Sequence, residues 1–165
     1  MRRQIIAPVV AGVLLALATT AQADQKTTSF QVSANVKKNC LVSAAAMAFG
    51  DWTVEADTTT SSTITVRCTS GTTYTVNLDS GVHGTAVDNR QMDGPGSANV
   101  KYFLYTTDNI VWGDGTNGTD NDGGTGAGLG SPQGLTVNGK IFAADNEGAI
   151  YPGLYTDTVT ATIVY

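Results

Sequence analysis

The sequence predicts an all-β fold, a sandwich of antiparallel strands. Three observations carry that expectation. Past the N-terminal leader, no segment has the three-to-four spacing of an amphipathic helix. Apolar residues instead alternate with polar ones over short runs. Those runs are separated by turn-forming clusters of Gly, Pro, Asn and Asp, and 19 of the 165 residues are glycine.

The elements follow in chain order. Residues 1–23 read as a secretion signal: Arg2 and Arg3, an apolar run over 5–17, and the small-residue cleavage site Ala21-Gln22-Ala23. Removal leaves 142 residues, a single domain by length. Residues 29–36, Ser-Phe-Gln-Val-Ser-Ala-Asn-Val, alternate as a strand at the mature N-terminus. Cys40-Leu41-Val42 begins the core, and Ala44-Ala45-Ala46-Met47-Ala48 is long enough for one helical turn only. Ile64, Val66 and Cys68 share one face of a strand over 62–68, and Tyr74, Val76 and Leu78 share a face of the next. The two are expected to pair as a hairpin. Met92-Asp93-Gly94-Pro95-Gly96 is a turn, and 100–105 is a strand with Tyr102 and Leu104 on one face. Ile110-Val111-Trp112 is a short continuation, and residues 113–130 read as a flexible, solvated Gly/Asp loop. A candidate strand over 135–142 is interrupted by Asn138-Gly139, a hairpin-turn pair. The last strand, 158–165, follows Pro152-Gly153.

Composition narrows the function. Of 9 basic residues, Arg2 and Arg3 leave with the signal, so 7 face 14 acidic ones, a net charge of −7. Without a basic patch, nucleic acid is not an expected partner. No second apolar segment is long enough for a membrane helix. Cys40 and Cys68 are the only cysteines, and an even count in an exported chain reads as one disulfide.

Catalytic constellations are wanting. His83 is the sole histidine, sits in a Gly-Val-His-Gly loop and has no nucleophile elbow beside it. Two cysteines and one histidine fall short of a zinc set. Asp114, Asp120 and Asp122 offer oxygens to calcium, but their spacing departs from the EF-hand pattern. No cofactor is expected. Trp52, Trp112, Tyr74, Tyr102 and Tyr105 are the residues from which a sugar-stacking platform would be built. They underlie the alternative of a secreted carbohydrate-binding or coat module.

One resemblance gathers these features. Asn39-Cys40-Leu41-Val42, Phe49-Gly50, Ile64-Thr65-Val66-Arg67-Cys68, the run from Tyr74 through Asp79-Ser80-Gly81, and Val100-Lys101-Tyr102-Phe103-Leu104-Tyr105 stand in order. They lead to the closing Pro152-Gly153-Leu154-Tyr155-Thr156-Asp157-Thr158-Val159-Thr160-Ala161-Thr162-Ile163-Val164-Tyr165. This series resembles the spore coat protein U domain, the fold unit of archaic chaperone–usher pilus subunits. Arg90-Gln91-Met92 fits the pattern only loosely, and the Gly-rich loop is longer than a compact sandwich needs.

The resemblance implies an incomplete immunoglobulin-like β-sandwich that lacks its last strand and is completed by a donor strand from a neighbouring subunit. It implies a non-enzymatic pilus subunit that reaches the cell surface through the periplasm and supports adhesion and biofilm formation. The implied partners are a periplasmic chaperone, an outer-membrane usher, and copies of itself or related pilins. On this chain, residues 24–36 would be the donor segment and 37–165 the pilin domain. Phe30, Val32, Ala34 and Val36 would point into the neighbour's groove. Leu154, Tyr155, Val159, Ala161, Ile163 and Tyr165 would form the accepting edge.

Overall fold

The structure, a computed structural model, describes residues 22–148 and 150–165. The leader's Arg2, Arg3, apolar run and Ala21 lie outside the described residues. The chain divides into two units, residues 1–35 and 36–165. In the first, residues 22–35 form no ladder, and Phe30 and Val32 are 86% and 80% exposed. The strand expected over 29–36 is therefore absent. A strand is defined by its partner, and here the backbone N–H and C=O groups are left to water.

Among the described residues the second unit holds eight strands: β1 Cys40–Ala44, β2 Thr58–Cys68, β3 Thr73–Leu78, β4 Arg90–Asp93, β5 Asn99–Tyr105, β6 Asp122–Thr125, β7 Gln133–Ile141 and β8 Ala161–Val164. They form a five-stranded sheet in the order β1-β2-β7-β5-β4 and a three-stranded sheet in the order β6-β3-β8. All the ladder pairings are antiparallel. The core lies between the sheets: Ile64, Val66, Val100, Tyr102, Leu104 and Val137 from one meet Tyr74, Val76 and Leu78 from the other. Two-residue alternation explains the burial, since every second side chain of β2, β3, β5 and β7 turns inward. The Cys40–Cys68 disulfide spans a facing pair of the β1–β2 ladder and closes a separation of 28 residues.

Four further expectations are corrected. The segments 62–68 and 74–78 do not pair as a hairpin: β2 and β3 lie in different sheets. The connection between them is an arch, closed by Thr72 N–H donating to Thr69 O at 3.1 Å and by Gly71 at φ 77°. An arch lets both strands bury one face against each other, which a flat hairpin would prevent. Asn138-Gly139 makes no turn; β7 runs unbroken through it. Gly139 is there because a Cβ would approach Met47 Sδ to 2.5 Å and Phe49 Cζ to 3.0 Å. The Gly/Asp segment is not simply a solvated loop. Its residues 122–125 form β6 on β3, where a Cβ on Gly123 would fall on Tyr74 O. The helical turn allowed for 44–48 does not form.

Trp112 is fully buried and donates Nε1–H to Val76 O at 2.8 Å. It anchors the start of the Gly/Asp segment against β3. The turn at 92–96 appears as expected, as a short 3-10 segment over Pro95–Ser97 between β4 and β5.

Candidate functional site

The two sheets do not close around the core. Among the described residues β1 pairs only with β2, and β8 pairs only with β3. At the disulfide end β1 and β8 lie close together. Away from it the core opens into a groove of about 1160 Å³. One wall is residues 44–55, continuing from β1; the other is residues 150–159, leading into β8. The floor is apolar, built from Ile64, Leu78, Val100, Leu104, Val137 and Ile141. A sandwich missing one strand has this form: apolar floor, two flanking edges, nothing between them.

The walls are held from within and from below. Phe49 packs edge-on to Tyr102 with ring centroids 6.4 Å apart. Trp52, half-buried in the groove, donates Nε1–H to Ala56 O at 2.7 Å. Opposite, Asp93 and Thr156 exchange two backbone hydrogen bonds of 3.0 Å. Gly94 lies beneath the Tyr155 ring, where any Cβ would collide with it. The Tyr155 hydroxyl donates to Tyr151 O at 2.9 Å and accepts from Tyr151 N–H at 3.0 Å.

The C-terminal strand presents one free edge. Asp79 N–H donates to Thr160 O, and Asn77 and Thr75 stand opposite Thr162 and Val164. In an antiparallel ladder these alternate residues turn their backbone groups toward β3. The backbone groups of Val159, Ala161 and Ile163 then face the unpaired side. Their side chains pack against the core, as does Tyr155. Leu154, 80% exposed, and Tyr165, 51% exposed, stand at the margins of this row.

A polar knot lies where the 150–159 wall meets the sheets. Asp157 Oδ1 accepts from the N–H groups of Thr158 at 2.8 Å, Val82 at 2.9 Å and His83 at 3.3 Å. Its Oδ2 accepts from the Tyr102 hydroxyl at 2.6 Å. Burial pushes the Tyr102 phenol well above its ordinary range, and the bond to Asp157 adds to this. Arg90, 0% exposed, donates to four backbone carbonyls: Asp79, Val87, Leu78 and Trp112. Desolvation lowers its affinity for the proton, while Tyr102, Asp79, Asp157 and Asp88 oppose that shift. The guanidinium thus ties β3, the 85–89 turn and Trp112 into one block behind the groove.

Asp79 gives this knot an acid limit. Burial pushes its carboxyl up, but N–H donors from Thr160 and Gly81, helped by the Arg90 charge, outweigh that and leave it below 3.8. The folded form therefore binds a proton less readily than the unfolded one. Its stabilisation is complete above the unfolded value and is lost as pH falls through the folded one. The urea midpoint should hold steady above about pH 5 and fall below about pH 4. Asp79→Asn should flatten that acid limb; an identical limb in the variant would remove Asp79 from the account.

Other sequence candidates are scattered. Among the described residues no group of three or more His, Cys, Asp or Glu is placed to hold a metal. Asp114, Asp120 and Asp122 each bond their own turn, to Thr116, Asn121 and Gly123 N–H respectively. His83 enters the knot through its backbone N–H, not its ring. The aromatic set forms no common platform: Trp112, Tyr74 and Tyr102 are core, Tyr105 stacks with Phe103 on the outer face, and Trp52 lines the groove. Segment 44–55 as a groove wall, and a place in the site for Met92, Ile141, Arg90 and Asp157, were not read from the sequence. Asp157 left a trace, as the one charge in the inward row that includes Tyr155 and Val159.

An all-β sandwich with an open apolar groove and an unpaired terminal edge defines a class of protein: a domain lacking one strand. Residues 26–162 match the Spore Coat Protein U domain family, and the chain belongs to that family. Among solved structures it is similar to the CsuC–CsuE chaperone–tip adhesion subunit pre-assembly complex from archaic chaperone–usher Csu pili of Acinetobacter baumannii. That likeness has a TM-score of 0.57 and 24% identity, and covers 79% of this chain and 40% of that one. The present chain thus spans about two fifths of that chain's length. No curated protein matches it.

Proposed function

We propose that this protein is a non-enzymatic structural subunit of a chaperone–usher surface pilus that polymerises by donor-strand exchange. The observation that carries the reading is a complementary pair within one chain: an apolar groove beside an unpaired strand, and an exposed tail of alternating apolar residues. Phe30, Val32, Ala34 and Val36 of one copy fill the groove of the next, and its free edge at Val159, Ala161 and Ile163 supplies the ladder. Leu154, Tyr155 and Tyr165 frame the two ends of that edge. A periplasmic chaperone occupies the groove first, and an outer-membrane usher is where the exchange takes place. The product is an exported surface fibre that serves adhesion and biofilm formation.

The polarity of insertion follows from the groove. The tail leaves its own domain at Asn39, whose N–H bonds Thr69 Oγ1 at the disulfide end. Residues 37–39 reach roughly 11 Å at most. In the accepting copy β1 and β8 narrow the disulfide end, where Ala161 and Ile163 lie, and the groove opens along 44–55 and 150–159, so the donor's domain attaches at the open end. That places the donor strand antiparallel to β8 and stacks copies head to tail. Such a heterologous contact makes a fibre where its rotation does not close a ring.

Trp52 reports the exchange. It lines the groove half-exposed, whereas Trp112 is sealed in the core. A peptide of residues 27–38, added to the mature chain carrying Phe30→Asp, should shift the tryptophan emission to the blue. Trp52→Phe should abolish that shift. An unchanged spectrum with the peptide bound would remove Trp52 from the groove contact.

A further inference from the structure

We propose that Asp157 is a positioning residue of the accepting edge, one that sets segment 156–160 in register before any strand arrives; this rests on the donor-strand reading above. β3 ends at Leu78, opposite Ala161. Beyond that point the accepting segment has no ladder beside it, because the chain turns away at Asp79-Ser80-Gly81. Thr156 is held by its pair of bonds with Asp93, but residues 157–160 receive only two backbone bonds, from Asp79 N–H to Thr160 O at 3.1 Å and from Val82 N–H to Thr158 O at 3.2 Å.

Carboxylates supply what the ladder lacks. Asp157 Oδ1 takes the Thr158 and Val82 N–H groups, and Asp79 Oδ1 takes the Thr160 N–H at 2.8 Å and the Gly81 N–H at 3.0 Å. The backbone donors of Thr158 and Thr160 are thereby turned away from the groove. The alternation then turns the backbone groups of Asp157 and Val159 toward the open side, where an incoming strand needs them. The Tyr102 hydroxyl holds the other carboxylate oxygen from the opposite sheet. Gly81 is the clearance for this arrangement: at φ 79°, a Cβ there would overlap the Asp157 carboxylate.

A charge in an otherwise apolar inward row is costly unless its oxygens are filled. Asp157 has four donors, so the cost is met by bonds that also fix the edge. Preorganisation of this kind acts on capture: the edge is already extended, and the incoming strand need not order it. Tyr102, Asp157 and the Asp79-Ser80-Gly81 turn, distant in sequence, thus serve one purpose.

The test uses the mature chain carrying Phe30→Asp, whose own tail is disabled and whose groove is intact. Hydrogen exchange at residues 156–160 and capture of the 27–38 peptide are measured together. Asp157→Ala should lose protection at Thr158 and slow capture at least tenfold per folded molecule. Asp157→Asn, which keeps an oxygen acceptor, should stay within about threefold of the parent. Leu135→Ala, a core truncation outside the groove, lowers stability generally and should leave capture per folded molecule unchanged. Capture by Asp157→Ala at the parental rate, or an equal fall in Leu135→Ala, would overturn the positioning role. A parent that takes no peptide, while Asp157→Ala still loses protection, would instead overturn the donor-strand reading and the capture role with it.

Discussion

Deleting residues 24–36 from the mature chain should abolish fibres while leaving the 37–165 domain able to engage its chaperone. Expressed with chaperone and usher, the intact chain should give a ladder on a native gel that collapses to monomer on boiling. The truncation should give no ladder. A single change, Phe30→Asp, should lower fibre yield at least tenfold. Phe30 lies exposed on the tail, and burying it fully in a groove contributes on the order of 1.5–3 kcal/mol. Replacing it by Asp forfeits that and forces a carboxylate against the apolar side chains of Ile64, Leu78 and Leu104 or their neighbours. Wild-type fibre yield from Phe30→Asp would sink the assignment of that residue. An unaltered ladder from the truncation would sink N-terminal strand donation itself.

The second large effect concerns the disulfide. Cys40→Ser with Cys68→Ser should lower stability by roughly 3 kcal/mol, the loop-closure value for a 28-residue separation. That is a large part of the 5–15 kcal/mol typical of a whole domain. The urea midpoint should drop by about 1–3 M, and periplasmic yield should fall with it. The location makes the loss more than entropic. Cys40 is the first residue of β1, and β1 is an edge strand held to the sheet by β2 alone. Untying it frees the root of the N-terminal tail and the strand that continues into the 44–55 wall. Fibre shape should change less than yield, because neither cysteine lines the groove. An unchanged midpoint in the double variant would show that the bond adds nothing to the fold.

Legibility followed the range of the interaction. Strands β2, β3, β5 and β7 were visible because inward residues such as Ile64, Val66, Tyr74, Val76, Tyr102 and Leu104 alternate locally. β4 and β6 were not. Arg90 opens β4 as a fully buried guanidinium, and no alternation announces a charge whose partners are carbonyls of Asp79, Val87, Leu78 and Trp112. β6 is Asp-Gly-Gly-Thr, a turn composition that becomes a strand by pairing with β3, where Tyr74 and Thr75 leave no room for a side chain at Gly123. Asn138-Gly139 misled in the opposite direction: a hairpin signal proved to be a packing clearance for Met47 and Phe49.

The site divides in the same way. Val159, Ala161 and Ile163 were readable as one face of a terminal strand, and they do face the core together. The 44–55 wall was not readable, because Ala44, Met47, Phe49 and Trp52 follow no regular period and acquire meaning only over β7 and Tyr102.

By itself, the sequence determined the all-β class, the single disulfide, and the two alternating runs over 29–36 and 158–165. Each is written in local spacing or in a count. Only the tertiary structure decided that β2 and β3 arch across two sheets, that β1 and β8 stand as separate edges, and that Asp157 joins Tyr102 to the Asp79-Ser80-Gly81 turn. Alternation states which face of a strand is buried, but not which strand lies beside it. That choice is made by backbone hydrogen bonds and packing between residues far apart in the chain, and the open groove is the place where no such neighbour was supplied.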